Sequence, residues 1–249
     1  MENNFNLAER CYPDISPRRV RDDHFERYRF ARDFVAGKIV ADVGCGEGYG
    51  SDILFVAGAT QVVGIDNDAS SIAHAKTKYP NVEFCAGDAT KTGLPDASVD
   101  VVTCFEVWHH IDQYEKFIPE MKRILKPDGL LIFSVPNKRV IYLNPFHRKM
   151  LTEFYRKDFD KKTIERMLGN DFQIDAWYGQ RFVKKILVYA AVRLVLFFIK
   201  TVFSFTSERI LNEYKLGRGP AVLPLDGDRA RIFVVLARPM RAVHILPSL

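Results

Sequence analysis

From Lys38 to Pro136, short β-branched apolar runs alternate with longer stretches whose apolar residues recur at helical spacing. Ile39–Val43, 62–65, 82–85, Val99–Phe105 and 130–135 read as five strands. Several are apolar throughout instead of alternating, the pattern of strands covered on both faces. Ala69–Lys78 and 118–125 read as helices between them. Strands joined by helical crossovers predict a parallel sheet. Pro127-Asp128-Gly129 marks a turn before the fifth strand. Beyond Pro136 the pattern loosens. Residues 157–169 predict a helix closed by Gly169. Residues 172–178 and 231–237 predict two more strands, about fifty residues apart. A hairpin rarely needs that much connection, so 180–228 is expected to be an inserted element.

The first strand ends in an acid and runs into glycines: Val40-Ala41-Asp42-Val43-Gly44-Cys45-Gly46-Glu47-Gly48-Tyr49-Gly50. Without Cβ atoms such a turn lets a ligand approach the backbone closely. Asp66 ends the second strand, 24 residues after Asp42, where a carboxylate can accept both hydroxyls of a ribose. The dinucleotide fingerprint G-x-G-x-x-G nevertheless fails in both registers. Counting from Gly44, the third glycine position holds Tyr49; counting from Gly46, it holds Ser51. An acid aimed at the loop would repel a pyrophosphate and suits an ammonium or sulfonium. The expected ligand is therefore a nucleoside without phosphates. Gly87-Asp88-Ala89 follows the third strand, where a carboxylate can accept from an adenine amino group.

These segments, together with GDATKTGLPDASVDVV and LKPDGLLIFSVPNK, resemble the class I S-adenosylmethionine-dependent methyltransferases over residues 38–137. The resemblance implies a doubly wound, mostly parallel, seven-stranded Rossmann-like α/β sheet with an antiparallel final hairpin. It implies one domain over residues 1–249: N-terminal lid helices at 1–37, a cofactor core at 38–137 and an acceptor side at 138–249. It also implies S-adenosylmethionine as cofactor. Asp42, Gly44, Cys45 and Gly46 would hold its methionine moiety, Asp66 its ribose, and Asn67 would flank the adenine. Asp88 and Ala89 would read the adenine edge, and Phe105 would lie beside the methionine part. Tyr28, in a segment resembling a helix that closes over the cofactor, is the candidate lid contact.

Candidate catalytic residues follow the fourth and fifth strands. The family often shows Glu-His where this chain has His109-His110. His110 matches the usual histidine, whereas His109 replaces the acid. An imidazole can deprotonate an acceptor hydroxyl. His147, in Asn144-Pro145-Phe146-His147, resembles a segment of methyltransferases acting on sugars and polysaccharides. The expected reaction is methyl transfer to an oxygen of a sugar or lipid-linked glycan. A polyprenyl quinone or other lipid is the runner-up acceptor, and a regulatory protein that binds the cofactor without turnover is the reading from another class.

Composition changes this picture in one respect. With 249 residues, 47% apolar and 27% charged, the chain is ordinary for a globular protein. The net charge of +5, however, hides a split. Residues 1–137 carry 15 Lys/Arg against 21 Asp/Glu, and residues 138–249 carry 21 against 10. The basic part contains ILVYAAVRLVLFFIKTVFSF, twenty residues from Ile186 to Phe205. Arg193 and Lys200 argue against a membrane span, at about 2.5–3.5 kcal/mol each near its centre. A basic stripe opposite a broad apolar face suits a helix in a membrane interface, or one packed on the domain or on a dimer partner. Nucleic acid ranks below lipid, because no base-stacking motif accompanies the charge. Cys11, Cys45, Cys85 and Cys104 form no Cys-x-x-Cys pair, so neither a metal site nor a disulfide framework is expected. The opening MENNFNLAERCYPD lacks a signal-peptide pattern, which predicts a cytoplasmic setting, with the apolar run at a membrane surface.

Overall fold

A computed structural model describes residues 11–141, 155–182, 221–225 and 230–240. His147 and the apolar run 186–205 lie outside the described residues.

The five apolar runs form β1 (Ile39–Val43), β2 (Gln61–Asp66), β3 (Glu83–Ala86), β4 (Val99–Phe105) and β5 (Leu125–Pro136), all parallel. Then β6 (Phe172–Phe182) and β8 (Ala230–Pro239) pair antiparallel, and β8 lies antiparallel against β5. The expected final hairpin is present across the long insertion. A two-residue β7 (Leu223–Pro224) adds an eighth strand at the edge, one more than the seven expected, giving the order β3-β2-β1-β4-β5-β8-β6-β7. The Pro127-Asp128-Gly129 turn sits inside β5. The register jumps from Val99↔Leu125 to Val101↔Leu130, so the turn loops out as a bulge.

Strand residues alternate between two cores, one on each face of the sheet. In β5, Leu131, Phe133 and Val135 face one core while Leu130 and Ile132 face the other; in β8, Phe233 and Val235 oppose Val234 and Leu236. The helices α1 (Arg18–Ala31), α2 (Tyr49–Val56) and α3 (Ala69–Lys78) cover one face through Tyr28, Ala31, Leu54, Ile72 and Ala75. The opposite core holds α4 (Phe117–Ile124), α6 (Lys161–Leu168) and the buried Trp108, whose indole N–H donates to the Tyr114 carbonyl at 2.9 Å. A single turn, α5 (Lys138–Ile141), follows β5. The predicted helix 157–169 starts later, at Lys161, because Asp160 caps it by accepting from the Thr163 N–H at 2.9 Å. No helix of the described residues is long and apolar enough to cross a membrane.

Candidate active site

The C-terminal ends of β1–β4 open into a cavity of about 430 Å³, within the range of small-molecule sites. Gly44, Cys45, Gly46, Asp66, Asn67, Asp88, Ala89, Phe105, His110 and Tyr28 all line it. Thus ten of the residues singled out in the sequence converge, drawn from α1 and four strand ends.

The glycine loop has an unusual polarity. The N–H groups of Gly44 and Cys45 both donate to the Ile65 carbonyl (2.7 and 3.1 Å), and that of Gly48 to the Cys45 carbonyl (3.0 Å). The Gly46 N–H donates to Asp66 Oδ2 at 2.9 Å. Four loop donors are therefore spent within the protein. With those four N–H groups committed, the glycine positions themselves do not form the donor cradle that a phosphate needs. Gly46 has φ +53° and open space where a Cβ would stand, whereas a Cβ at Gly44 (φ +78°) would meet Val107 at 2.1 Å.

The start of α2 is closed as well. Helix N-termini attract phosphates through unpaired N–H groups. Here the Tyr28 ring covers Gly50 so closely that an added Cβ would stand 2.0 Å from its Cζ. Beneath it lies Asp42, 0% exposed and absent from the cavity lining. Its carboxylate accepts from Ser51 Oγ (2.7 Å), Thr103 Oγ1 (2.8 Å) and the Tyr28 hydroxyl (3.2 Å to each oxygen). Burial pushes its pKa up to about 6 against these three donors. In this structure Asp42 reaches the cavity only through Tyr28, which ties α1 to the end of β1.

Asp66 is placed differently. Its oxygens accept from Gly46 N–H and from Asp68 N–H (3.0 Å), and its side chain lines the cavity. A carboxylate accepts several hydrogen bonds at once, and this one faces the cavity. Asp88 is exposed at the rim and accepts from the Thr90 N–H at 2.6 Å.

The two histidines differ in exposure. His110 lines the cavity, half-buried. His109 is buried behind it, with the two rings in contact (centroids 4.0 Å) and both against Tyr155 (4.4 and 5.5 Å). Burial, with His110 and Arg27 nearby, holds its pKa well below the ordinary value, so the ring is neutral. It cannot stand in for the carboxylate at the corresponding family position. Glu106 lines the cavity with a left-handed φ of +61°, held by the Ser134 hydroxyl, which donates to its Oε1 at 2.7 Å.

The structure adds residues that the sequence did not single out: Cys11, Tyr12, His24, Tyr49 and Arg156. Tyr49 stacks on Phe25 (5.1 Å) and pairs through its hydroxyl with His24 Nδ1 (3.0 Å). His24, Tyr28 and Ala31 recur along one face of α1, a periodicity that could have flagged His24. No group of three His, Cys, Asp or Glu among the described residues is arranged to hold a metal.

Residues 41–133 match the family model described as a methyltransferase domain. Over 122 residues the chain is 41% identical to a Mycolicibacterium smegmatis protein named "Probable S-adenosylmethionine-dependent methyltransferase", covering 47% of each. The chain spans about half the length of the curated relatives it matches first (47% and 55%). Among solved structures, the PH0226 protein of Pyrococcus horikoshii is similar with a TM-score of 0.62 at 19% identity, covering 94% of this chain and 99% of that one. The [4+2]-cyclase SpnF is similar with a TM-score of 0.59 at 18% identity, over 88% and 81%. The likeness to these two shows the fold alone.

Proposed function

The chain belongs through residues 41–133 to the class I S-adenosylmethionine-dependent methyltransferases, and we propose that it seats S-adenosylmethionine in this cavity and moves the methyl group to an oxygen of a small molecule, a sugar or a lipid-linked glycan. The observation that carries the reading is the polarity of the glycine loop. The N–H groups of Gly44, Cys45, Gly46 and Gly48 are spent within the protein, and Tyr28 with Asp42 closes the helix terminus that a pyrophosphate would need.

The residues present fit the cofactor part by part. Asp66, fixed at the cavity wall by the Gly46 and Asp68 N–H groups, receives the ribose hydroxyls. Asp88, at the rim, and Ala89 read the adenine edge, and Asn67 flanks the adenine. The carbonyl oxygens of Gly44 and Gly46 receive the α-ammonium, with Phe105 alongside. Buried Asp42 contributes negative charge under the Tyr28 ring. When bound, the cofactor supplies an electrophilic methyl on a sulfonium.

Transfer to such a methyl depends mainly on alignment and exclusion of water. Tyr28, Tyr49 and Phe105 provide apolar walls on the α1 side. His110 is the imidazole on the cavity side of its turn and takes the acceptor hydroxyl's proton. A lipid-borne acceptor is supported by the sequence of 186–205. Comparing liposome flotation of the full chain with that of a chain lacking the run tests it.

SpnF shows that this fold also serves a cyclase, so the fold does not decide the reaction. Titration with S-adenosylmethionine and with NAD separates the ligand classes, and tight binding of NAD alone would sink the reading. Incubation with the methyl-labelled cofactor and pools of sugars, glycolipids and quinones then tests turnover. Label is expected in a sugar or glycolipid, and cofactor binding without label in any pool would favour the regulatory alternative.

A further inference from the structure

The cavity account leaves one buried cation unexplained. Arg27 sits on α1 between His24 and Tyr28, and its side chain is 1% exposed. Burying a guanidinium is costly unless an anion or a full set of acceptors meets it. Arg27 has neither. Its Nη1 donates to Gln180 Oε1 at 2.7 Å, while its Nε–H is buried and makes no hydrogen bond. On the same helix Glu26 is paired with Arg29, and Asp23 with Arg181 at 2.7 Å. Among the described residues no carboxylate forms an ion pair with Arg27.

Arg27 stands behind the cavity wall, between its helix neighbours His24 and Tyr28, which line the cavity, and the β6 strand. Gln180 is on β6, fully buried, and is itself fixed by donating from Nε2 to the Asp23 carbonyl at 2.9 Å. In the sheet order β6 lies beyond β4 and β5, away from the β1–β3 ends that carry Asp66 and Asp88. Arg27 is close enough to His24 and His109 that its charge, after burial, helps hold both imidazoles below their ordinary pKa. A second orphan lies in the same region: the buried His109 Nδ1 has no partner. On the cavity wall, the competing acid Asp112 is paired with Arg156 at 2.6 Å.

Polar groups buried without partners are rare in folded proteins, and each calls for an explanation. A guanidinium with one amino group anchored keeps its Nε–H edge for two-point contact with a planar oxyanion. We propose that Arg27, oriented by Gln180, supplies the positive charge that receives an anionic group of the methyl acceptor, a carboxylate or a phosphate. This rests on the assignment of the cofactor to the β1–β3 end, which leaves the β4–β6 end for the acceptor.

The test uses the full chain loaded with S-adenosylhomocysteine. It is titrated at constant ionic strength with inorganic pyrophosphate and, separately, with citrate. One of the two is expected to bind, and which one tells phosphate from carboxylate. Arg27→Met should weaken that binding at least tenfold, and Arg27→Lys should weaken it less. Affinity for S-adenosylhomocysteine should stay within twofold in both variants. Melting provides the readout that a structural role would move the other way. Removing an unpaired buried charge should leave the Tm of Arg27→Met equal to or above that of the parent, and a Tm lowered by several degrees, or a variant that does not fold, overturns the proposal. So does an absence of binding by either anion, or equal binding by all three proteins. Failure of the parent chain to bind S-adenosylhomocysteine is a separate result, and it defeats the cofactor assignment itself.

Discussion

Beside the β1–β3 ends, Asp42 and Asp66 are already bonded to the protein's own donors, whereas behind the cavity wall, toward β6 and the turn after β4, a guanidinium and an imidazole are buried with atoms unpaired. The two regions also differ in what fixes them. Asp66 is held by backbone N–H groups at the close of a central strand, and Asp42 by hydroxyls from α1, α2 and β4. Such a site is organised before its ligand arrives, and little is left to rearrange on binding. Arg27 and His109 instead retain unmet bonding capacity, which stabilises a complex at the expense of the free protein. On the proposed assignment, the contrast separates a general half, built for one cofactor, from a particular half that selects an acceptor.

The largest effect is expected where one residue serves both the loop and the ligand. On the proposed seating, Asp66→Ala removes two charge-assisted contacts to the ribose along with the anchor of Gly46. At about 1.5–3 kcal/mol for each hydrogen bond to a charged group, S-adenosylmethionine should bind roughly a thousandfold more weakly. Calorimetric titration measures it. A loss under tenfold would mean that the carboxylate only braces the loop, and the comparison between the two regions would weaken accordingly.

Asp42 gives the next effect, through pH. Its pKa is raised from 3.8 to about 6, with burial as the leading cause. A carboxyl raised on folding keeps its proton in the native state after the unfolded chain has lost it. Its contribution to stability is therefore present below about pH 4, falls as pH rises toward 6, and is level above that. Two units correspond to about 3 kcal/mol. Glu120 and Asp160 run the other way. Burial opposes their ionisation, but Arg123 and Thr92 hold Glu120 down to about 2, and Thr163 and Lys138 hold Asp160 down to about 2. Their stabilisation is lost as pH falls from the ordinary carboxylate range toward 2. Unfolding of the parent and of Asp42→Asn across pH 4–7 isolates Asp42: the variant should gain relative stability as pH rises from 4 to 6. The charge should also show in binding. Affinity for cationic S-adenosylmethionine should fall below about pH 6 more steeply than affinity for the neutral thioether product.

The same contrast explains what the sequence disclosed. The cofactor half was legible because its signals are local: β-branched runs set the strands, and an acid at a strand end lies within a few residues of the loop it serves. Ala69–Lys78 coincides with α3 for that reason. Asp42 shows the limit. An acid at a strand end reads the same whether it faces a ligand or hydroxyls. Its donors Ser51, Tyr28 and Thr103 are 9, 14 and 61 positions away, and only tertiary packing brings them together. Arg27 was less legible still. Arginine on a helix reads as a solvated charge, and the residue that holds it, Gln180, is 153 positions distant. His109 and His110 keep their rings in contact, yet only His110 lines the cavity, a difference that adjacent positions in a tight turn do not disclose.

The smallest expected effect decides how Tyr28 belongs to the cofactor half. Its ring meets Phe105 edge-on at 5.0 Å and covers Gly50, while its hydroxyl bonds Asp42 through two long contacts of 3.2 Å. Tyr28→Phe keeps the ring and removes one of three hydroxyl donors. A donor to the charged form lowers a carboxyl's pKa, so its loss should move the Asp42 transition above about 6 by less than one unit, in line with about 0.5–1.5 kcal/mol for a single hydrogen bond. At pH 8 Asp42 stays ionised in both proteins, and S-adenosylmethionine affinity should change less than threefold. A hundredfold loss at pH 8 would show instead that the hydroxyl touches the ligand itself. Tyr28 would then be a direct contact of the cofactor site and not only the strut that joins α1 to Asp42.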